Sequence, residues 1–261
     1  MKTLLFIVDM QNDFCNPQGA LFVPNADADA IRLAQFIGRH AQSIDGIILT
    51  HDTHHAIDIS HPLFWTDAQG NSPDPFTTIT ADDVRQNRWV ARESDIRQLV
   101  LQYLIQLEEQ GEFPHTIWPE HCLWGSEGAA TPPVLANALA DWCHLGRRYR
   151  VVQKGINPYC EHFGALRANV TLTNDSSTQL NEELLQELDA YDRIYIAGEA
   201  RSHCVANTLK QLLSFPHLIK KVVMLEDCMS SIPNTEKQAA PIYERAAAMG
   251  ATFCKASDIN L

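Results

Sequence analysis

Three residues of unlike chemistry each stand where an apolar run ends: Asp9 after Thr3–Val8, Lys154 after Arg150–Gln153, and Cys204 a few residues beyond Arg193–Ala197. Cys204 belongs to the run Arg193-Ile-Tyr-Ile-Ala-Gly-Glu-Ala-Arg-Ser-His-Cys204-Val205, where a strand pattern gives way to a helical one. A thiol in the first turn of a helix faces unpaired backbone N–H groups and the positive end of the helix dipole. Both favour the thiolate, so Cys204 is expected to be a nucleophile. Singly, each residue has an ordinary reading: a strand-end aspartate bonding to turn amides, a solvated lysine, a small buried thiol. Jointly, they supply the base, the cation and the nucleophile that covalent catalysis requires.

A second constellation follows another apolar run, Gly46–Thr50. Asp52-Thr53-His54 is a D-x-H pair, which sets an oxygen and an imidazole on one side of an extended segment. Such a pair suits zinc, iron or manganese. A third ligand must come from elsewhere. His55, Asp58 and His61 are near, and His121 lies in Trp118-Pro-Glu-His121-Cys122. With eleven histidines in the chain, some chance clustering is expected, so the pair does not by itself define a site.

These positions need a scaffold that gathers strand ends. Short apolar runs at Thr3–Val8, Gly46–Thr50, Arg150–Gln153, Arg193–Ala197, Lys221–Leu225 and Ala251–Cys254 read as six strands. Helical patterns fall at Ala26–Gln42, Asp95–Gln110, Pro133–Leu145, Glu182–Asp189, Ser202–Leu213 and Thr235–Met249. Strands alternating with helices predict an α/β fold, a parallel sheet with helices on both faces. Ligands of such sheets bind beyond the carboxyl ends of the strands, where all of these candidates lie. No repeat or interdomain linker is evident, so residues 1–261 are read as one domain. Between Asp52 and Trp118 the chain is rich in Pro, Asp, Asn and Thr. The stretch at about 55–117 is read as an insertion after strand 2, either an oligomer contact (the chain then forming a homo-oligomer) or a cover over the site. Phe64 and Trp65 would anchor it.

Bulk properties narrow the partners. A net charge of −12 without a basic run disfavours nucleic acid and anionic membranes. The first apolar run stops at Asp9, too short for a signal-peptide core, and no stretch approaches a membrane span. Seven cysteines without CxxC pairs fit reduced thiols in a cytoplasm better than a disulfide framework.

The motifs, in order, resemble those of the isochorismatase-like cysteine hydrolases, and within them the nicotinamidase branch. Asp9-Met-Gln-Asn-Asp13-Phe14 resembles the family's opening motif, Asp52-Thr-His54 its metal motif, and Trp118-Pro-Glu-His121-Cys122 the nicotinamidase metal-histidine segment. Lys154-Gly155 resembles the catalytic lysine motif and Gly198-Glu-Ala200-Arg-Ser-His-Cys204-Val205 the nucleophile turn. The resemblance implies a six-stranded sheet in the order 3-2-1-4-5-6 and a triad of Asp9, Lys154 and Cys204. It implies a cis peptide before Ala200 and an oxyanion hole from the Ala200 and Cys204 amides. It also implies one divalent metal ion held by Asp52, His54 and His121, which takes the ring nitrogen of a small amide substrate.

Aromatic residues at Phe14 and Trp118 would flank that ring, with His203 and Phe163 as further candidates for the pocket wall. The implied reaction is hydrolysis of nicotinamide to nicotinate and ammonia through a thioester. Two departures stand out. The second histidine usual after the D-x-H is replaced by a neighbourhood of Asp58, Ser60 and His61, which leaves the fourth ligand open. Glu199 replaces an apolar residue; a carboxylate facing the pocket there would favour another small amide or an N-carbamoyl compound. A thiol sensor that keeps the fold is the rival outside enzymes, and it gives no reason for Asp9 and Lys154.

Overall fold

The computed structural model describes residues 1–261. Six strands form one parallel sheet: β1 (Thr3–Val8), β2 (Gly46–Asp52), β3 (Arg150–Lys154), β4 (Arg193–Gly198), β5 (Val222–Leu225) and β6 (Thr252–Cys254). Their order is β3-β2-β1-β4-β5-β6, as expected. All six residues of β1 are buried, because a central strand covered on both faces must be apolar throughout. At the edge, β3 alternates instead: Val151 and Gln153 face out while Val152 and Lys154 face in. That alternation turns the Lys154 ammonium inward.

The main helices are α1 (Ala26–His40), α2 (Arg97–Glu109), α3 (Pro133–Cys143), α4 (Glu182–Asp189), α5 (Ala206–Leu212) and α6 (Glu236–Ala248). Helix α1 packs against α3, and α5 against α6. In α1, Ala30, Leu33, Ala34 and Ile37 form the buried stripe that a 3.6-residue repeat produces. Successive connections run outward from β1 to one side and from β4 to the other. The strand ends of β1 and β4 are therefore the switch point at which such sheets bind ligands. There the chain turns sharply: Asp9 has φ 44°, Gly198 has φ 130°, and the Glu199–Ala200 peptide is cis.

The stretch after β2 carries a smaller core of its own. Ile59, Phe64, Trp65, Ile117 and the α2 residues Val100, Tyr103, Leu104 and Leu107 pack together, joined by Cys160, Ala168 and Val170. Trp65 is pinned by a hydrogen bond from Nε1 to the Ile59 carbonyl at 2.7 Å, and its strand Trp65–Thr66 pairs antiparallel with Val90–Ala91. A further short helix, Ala81–Arg85, is held by a capping box between Thr80 and Asp83. These elements are too short for periodicity to mark them. No helix is long and apolar enough to cross a membrane.

Gly198 bears the tightest approach in the sheet: a Cβ there would lie 1.9 Å from the Val8 carbonyl oxygen. Gly198→Ala is expected to cost about 3 kcal/mol or more, from overlap and an unfavourable φ together. Urea unfolding followed by circular dichroism measures it; an unchanged midpoint would contradict the register of β1 and β4.

Candidate active site

The three strand-end residues converge. Lys154 Nζ lies 2.8 Å from Asp9 Oδ2, 2.9 Å from Asp52 Oδ1 and 3.7 Å from Cys204 Sγ, and donates to the His162 carbonyl at 2.8 Å. The donor atoms of Asp9, Asp52 and Cys204 lie within 4.8 Å of one another. Asp9 is steadied by the Thr50 hydroxyl, which donates to Oδ1 at 2.6 Å. All four side chains are buried, so their charges act on one another with little screening.

Burial opposes the Lys154 ammonium, but Asp52 and Asp9 outweigh it and hold its pKa well above the usual value. Burial raises Asp9, Lys154 opposes the rise, and the Asp52 charge adds to it; the result is a carboxyl more basic than usual. The Cys204 thiol departs from the sequence expectation. It sits in a single π turn, Arg201–Val205, ahead of α5, and burial pushes its pKa well up; Lys154 pulls it down, while Asp9 and Asp52 push it further up. The resting sulfur is therefore a thiol, and a nucleophile forms only as its proton leaves.

Asp52 faces two ways. Its Oδ1 meets Lys154, and its Oδ2 lies 3.2 Å from His54 Nε2 and 3.8 Å from His121 Nε2. His61 completes the group: His54, His61 and His121 offer nitrogens within 4.8 Å of one another. The outer nitrogens are tied down. His54 Nδ1 lies 3.1 Å from Asp58 Oδ2, His61 Nδ1 3.0 Å from the His55 carbonyl, and His121 Nδ1 2.8 Å from the Pro119 carbonyl. On the inner side His54 Nε2 faces Asp52 without a hydrogen bond, and His61 Nε2 lies 3.3 Å from His121 Nδ1. An aspartate and three buried imidazoles so arranged fit a divalent metal ion. His61 thus fills the place left open after the D-x-H.

Two residues of the opening motif hold this half of the site. Gln11 bonds both ways with the Asp52 backbone, at 2.8 and 2.7 Å. Asp13 Oδ2 accepts the Cys122 N–H at 2.6 Å and so fixes the segment that carries His121.

The aromatic candidates divide. Phe14 packs edge-on against His121, ring centres 5.4 Å apart. Trp118, Phe163 and His203 meet one another edge-to-face at 5.2–6.5 Å, and Phe113 of the inserted stretch joins them at 5.5 Å from His203. Phe76, also of that stretch, packs on Trp118 from outside at 6.0 Å. The inserted stretch thus packs Phe113 and Phe76 against this aromatic group. Glu199 does not join this group. Its carboxyl is directed to the Ser230 amide at 3.1 Å and to Asp29 of α1, so it is not a pocket residue.

Glu161 escaped the sequence reading. It is buried, its Oε2 has no partner, and burial pushes its pKa up to about 7, with His54 opposing and Asp52 and Asp58 adding. Its one sequence signal was an acid set among residues that close off after a strand-end lysine.

No protein-family model matches the chain. It is similar to the nicotinamidase of Escherichia coli (strain K12), 25% identical over 254 residues that cover 97% of this chain and 95% of that protein. Its fold is similar to that of the yeast nicotinamidase bound to the inhibitor nicotinaldehyde, with TM-score 0.66, 20% identity, and 97% and 99% of the two chains covered. It is also similar to that of a Pyrococcus horikoshii pyrazinamidase in complex with zinc, with TM-score 0.56, 19% identity, and 98% and 99% covered. The resemblance to the nicotinamidase branch of the isochorismatase-like cysteine hydrolases therefore runs the length of the chain.

Removing an imidazole or its support tests the metal group. His61→Ala is expected to lower metal content in protein purified without chelator. Asp58→Ala, which removes the carboxylate from the far side of His54 and from the Ser60 amide and hydroxyl, is expected to weaken metal affinity about tenfold or more in chelator competition. Full metal content and affinity in both variants would place the ion elsewhere.

Proposed function

We propose that this chain is a cysteine amidohydrolase that converts nicotinamide to nicotinate and ammonia. The observation that carries the reading is the buried junction in which Lys154 touches Asp9, Asp52 and Cys204 beside a three-histidine group. Asp52, His54, His61 and His121 would hold a divalent ion, with zinc the best match to one carboxylate and three imidazoles. Such an ion supplies a Lewis-acid anchor for a pyridine nitrogen.

The chain's own residues carry the chemistry. Asp9, raised in basicity, takes the Cys204 proton as sulfur bonds to the amide carbon, and Lys154 stabilises the sulfur while it bears charge. The carbonyl electrons move to oxygen, which the Ala200 and Cys204 amides receive. One such donor is worth about 3 kcal/mol of transition-state stabilisation. The C–N bond then breaks as Asp9 returns its proton to the departing ammonia. Water adds to the thioester with Asp9 again as base, and the acid leaves with the thiol restored. Phe14, Trp118, Phe163 and His203 would enclose the ring. The feature that favoured an N-carbamoyl substrate, Glu199, turns away from this wall, which leaves the aromatic amide as the better fit.

Cys204→Ala is expected to abolish ammonia release while nicotinamide still binds, as calorimetry would detect. Turnover at the wild-type rate in that variant would falsify the mechanism. Across a panel of small amides and N-carbamoyl compounds, nicotinamide is expected to give the highest kcat/KM; preference for a non-aromatic member would overturn the substrate.

A further inference from the structure

Behind the nucleophile turn lies a network that the chemistry above does not use. Glu199 is fully enclosed, and its Oε2 accepts the Ser230 N–H at 3.1 Å. The Ser230 hydroxyl donates to Asp29 Oδ2 at 2.5 Å, and Arg32 pairs with the other oxygen of Asp29. Bonds return from the same loop to the turn: the Arg201 N–H donates to the Ser230 carbonyl at 2.8 Å and the Ile232 N–H to the Ser202 hydroxyl at 3.1 Å. Tyr243 of α6 closes the far side, its hydroxyl donating to the Arg201 carbonyl at 2.6 Å.

Ser230 thus joins Glu199 to Asp29, its amide on one carboxylate and its hydroxyl on the other. Arg32 and the Ser230 hydroxyl both meet Asp29, which anchors this side of the network on α1. Burial, and then the Asp29 charge, push the Glu199 pKa well above the usual range. The other titratable groups facing it are Arg32, Cys15 and Tyr243. A buried carboxyl with a single recorded hydrogen bond costs more than an apolar side chain of similar size, so its return lies in geometry rather than in stability.

We propose that Glu199 is a positioning residue: through Ser230 and Asp29 it clamps the turn carrying the Ala200 and Cys204 amides against α1, so that stabilisation of the oxyanion, not affinity for substrate, depends on it. The inference rests on the amidohydrolase reading for its kinetic consequence but not for the clamp itself.

Two variants separate charge, shape and bonding. Glu199→Gln keeps an acceptor for the Ser230 amide; Glu199→Leu keeps only bulk. With nicotinamide, Glu199→Leu is expected to lower kcat about tenfold or more, on the scale of a weakened oxyanion donor, with KM little changed. Glu199→Gln is expected to restore kcat to near the wild-type value. Hydrogen–deuterium exchange reads the clamp without any substrate. Amides of residues 199–205 and 229–232 are expected to exchange faster in the leucine variant and as wild type in the glutamine variant. Wild-type kcat and exchange in Glu199→Leu would overturn the proposal, as would a loss of kcat that glutamine does not rescue. If the wild type releases no ammonia from nicotinamide, the proposed reaction fails, and exchange alone decides the clamp. Should the leucine variant not fold, Ser230→Ala removes the hydroxyl link to Asp29 and carries the same exchange and kcat readings.

Discussion

The arrangement depends on one ammonium held out of water by two carboxylates. Lys154, 1% exposed, lies 2.8 Å from Asp9 and 2.9 Å from Asp52. Removing a lysine from solvent costs several kcal/mol, which only close opposite charges offset. Those carboxylates come from the ends of β1 and β2, and the lysine from the end of β3, three adjacent strands in register. The sheet therefore fixes the charges, and burial at its edge raises Asp9 and the Cys204 thiol against the pull of Lys154. Asp9 becomes a stronger base, and Cys204 stays a thiol until a base acts on it.

Asp52 links the two halves of the site. One oxygen faces Lys154 and the other faces His54 and His121, so the imidazole group and the Lys154 junction share a carboxylate. Gln11, bonded to the Asp52 backbone on both sides, makes that shared residue stiff. The opening motif thus acts as a brace as well as a source of Asp9, since Asp13 holds the Cys122 amide beside His121.

Much of this was legible in the chain, and what was not has identifiable physical causes. Alternating apolar runs and helical stripes marked the six strands, and strand ends marked Asp9, Lys154 and Cys204. Asp52, His54 and His121 were visible because motif spacing names them. His61 was one of several nearby donors, and only the turn at residues 58–61 selects it over His55. Glu199 was misplaced because a residue beside a sharp turn can face either side, and here the Ser230 amide draws it away. The thiolate expected of Cys204 weighed a helix dipole that local sequence shows against a burial that it does not. Phe113 and Glu161 reach the site through contacts between distant segments, for which no periodicity exists.

The stretch that follows β2 seals its hydrophobic residues in a cluster of its own while lending Phe113 and Phe76 to the aromatic wall. A change in that smaller cluster is thus absorbed among its own side chains, while the junction around Lys154 keeps its place on the sheet.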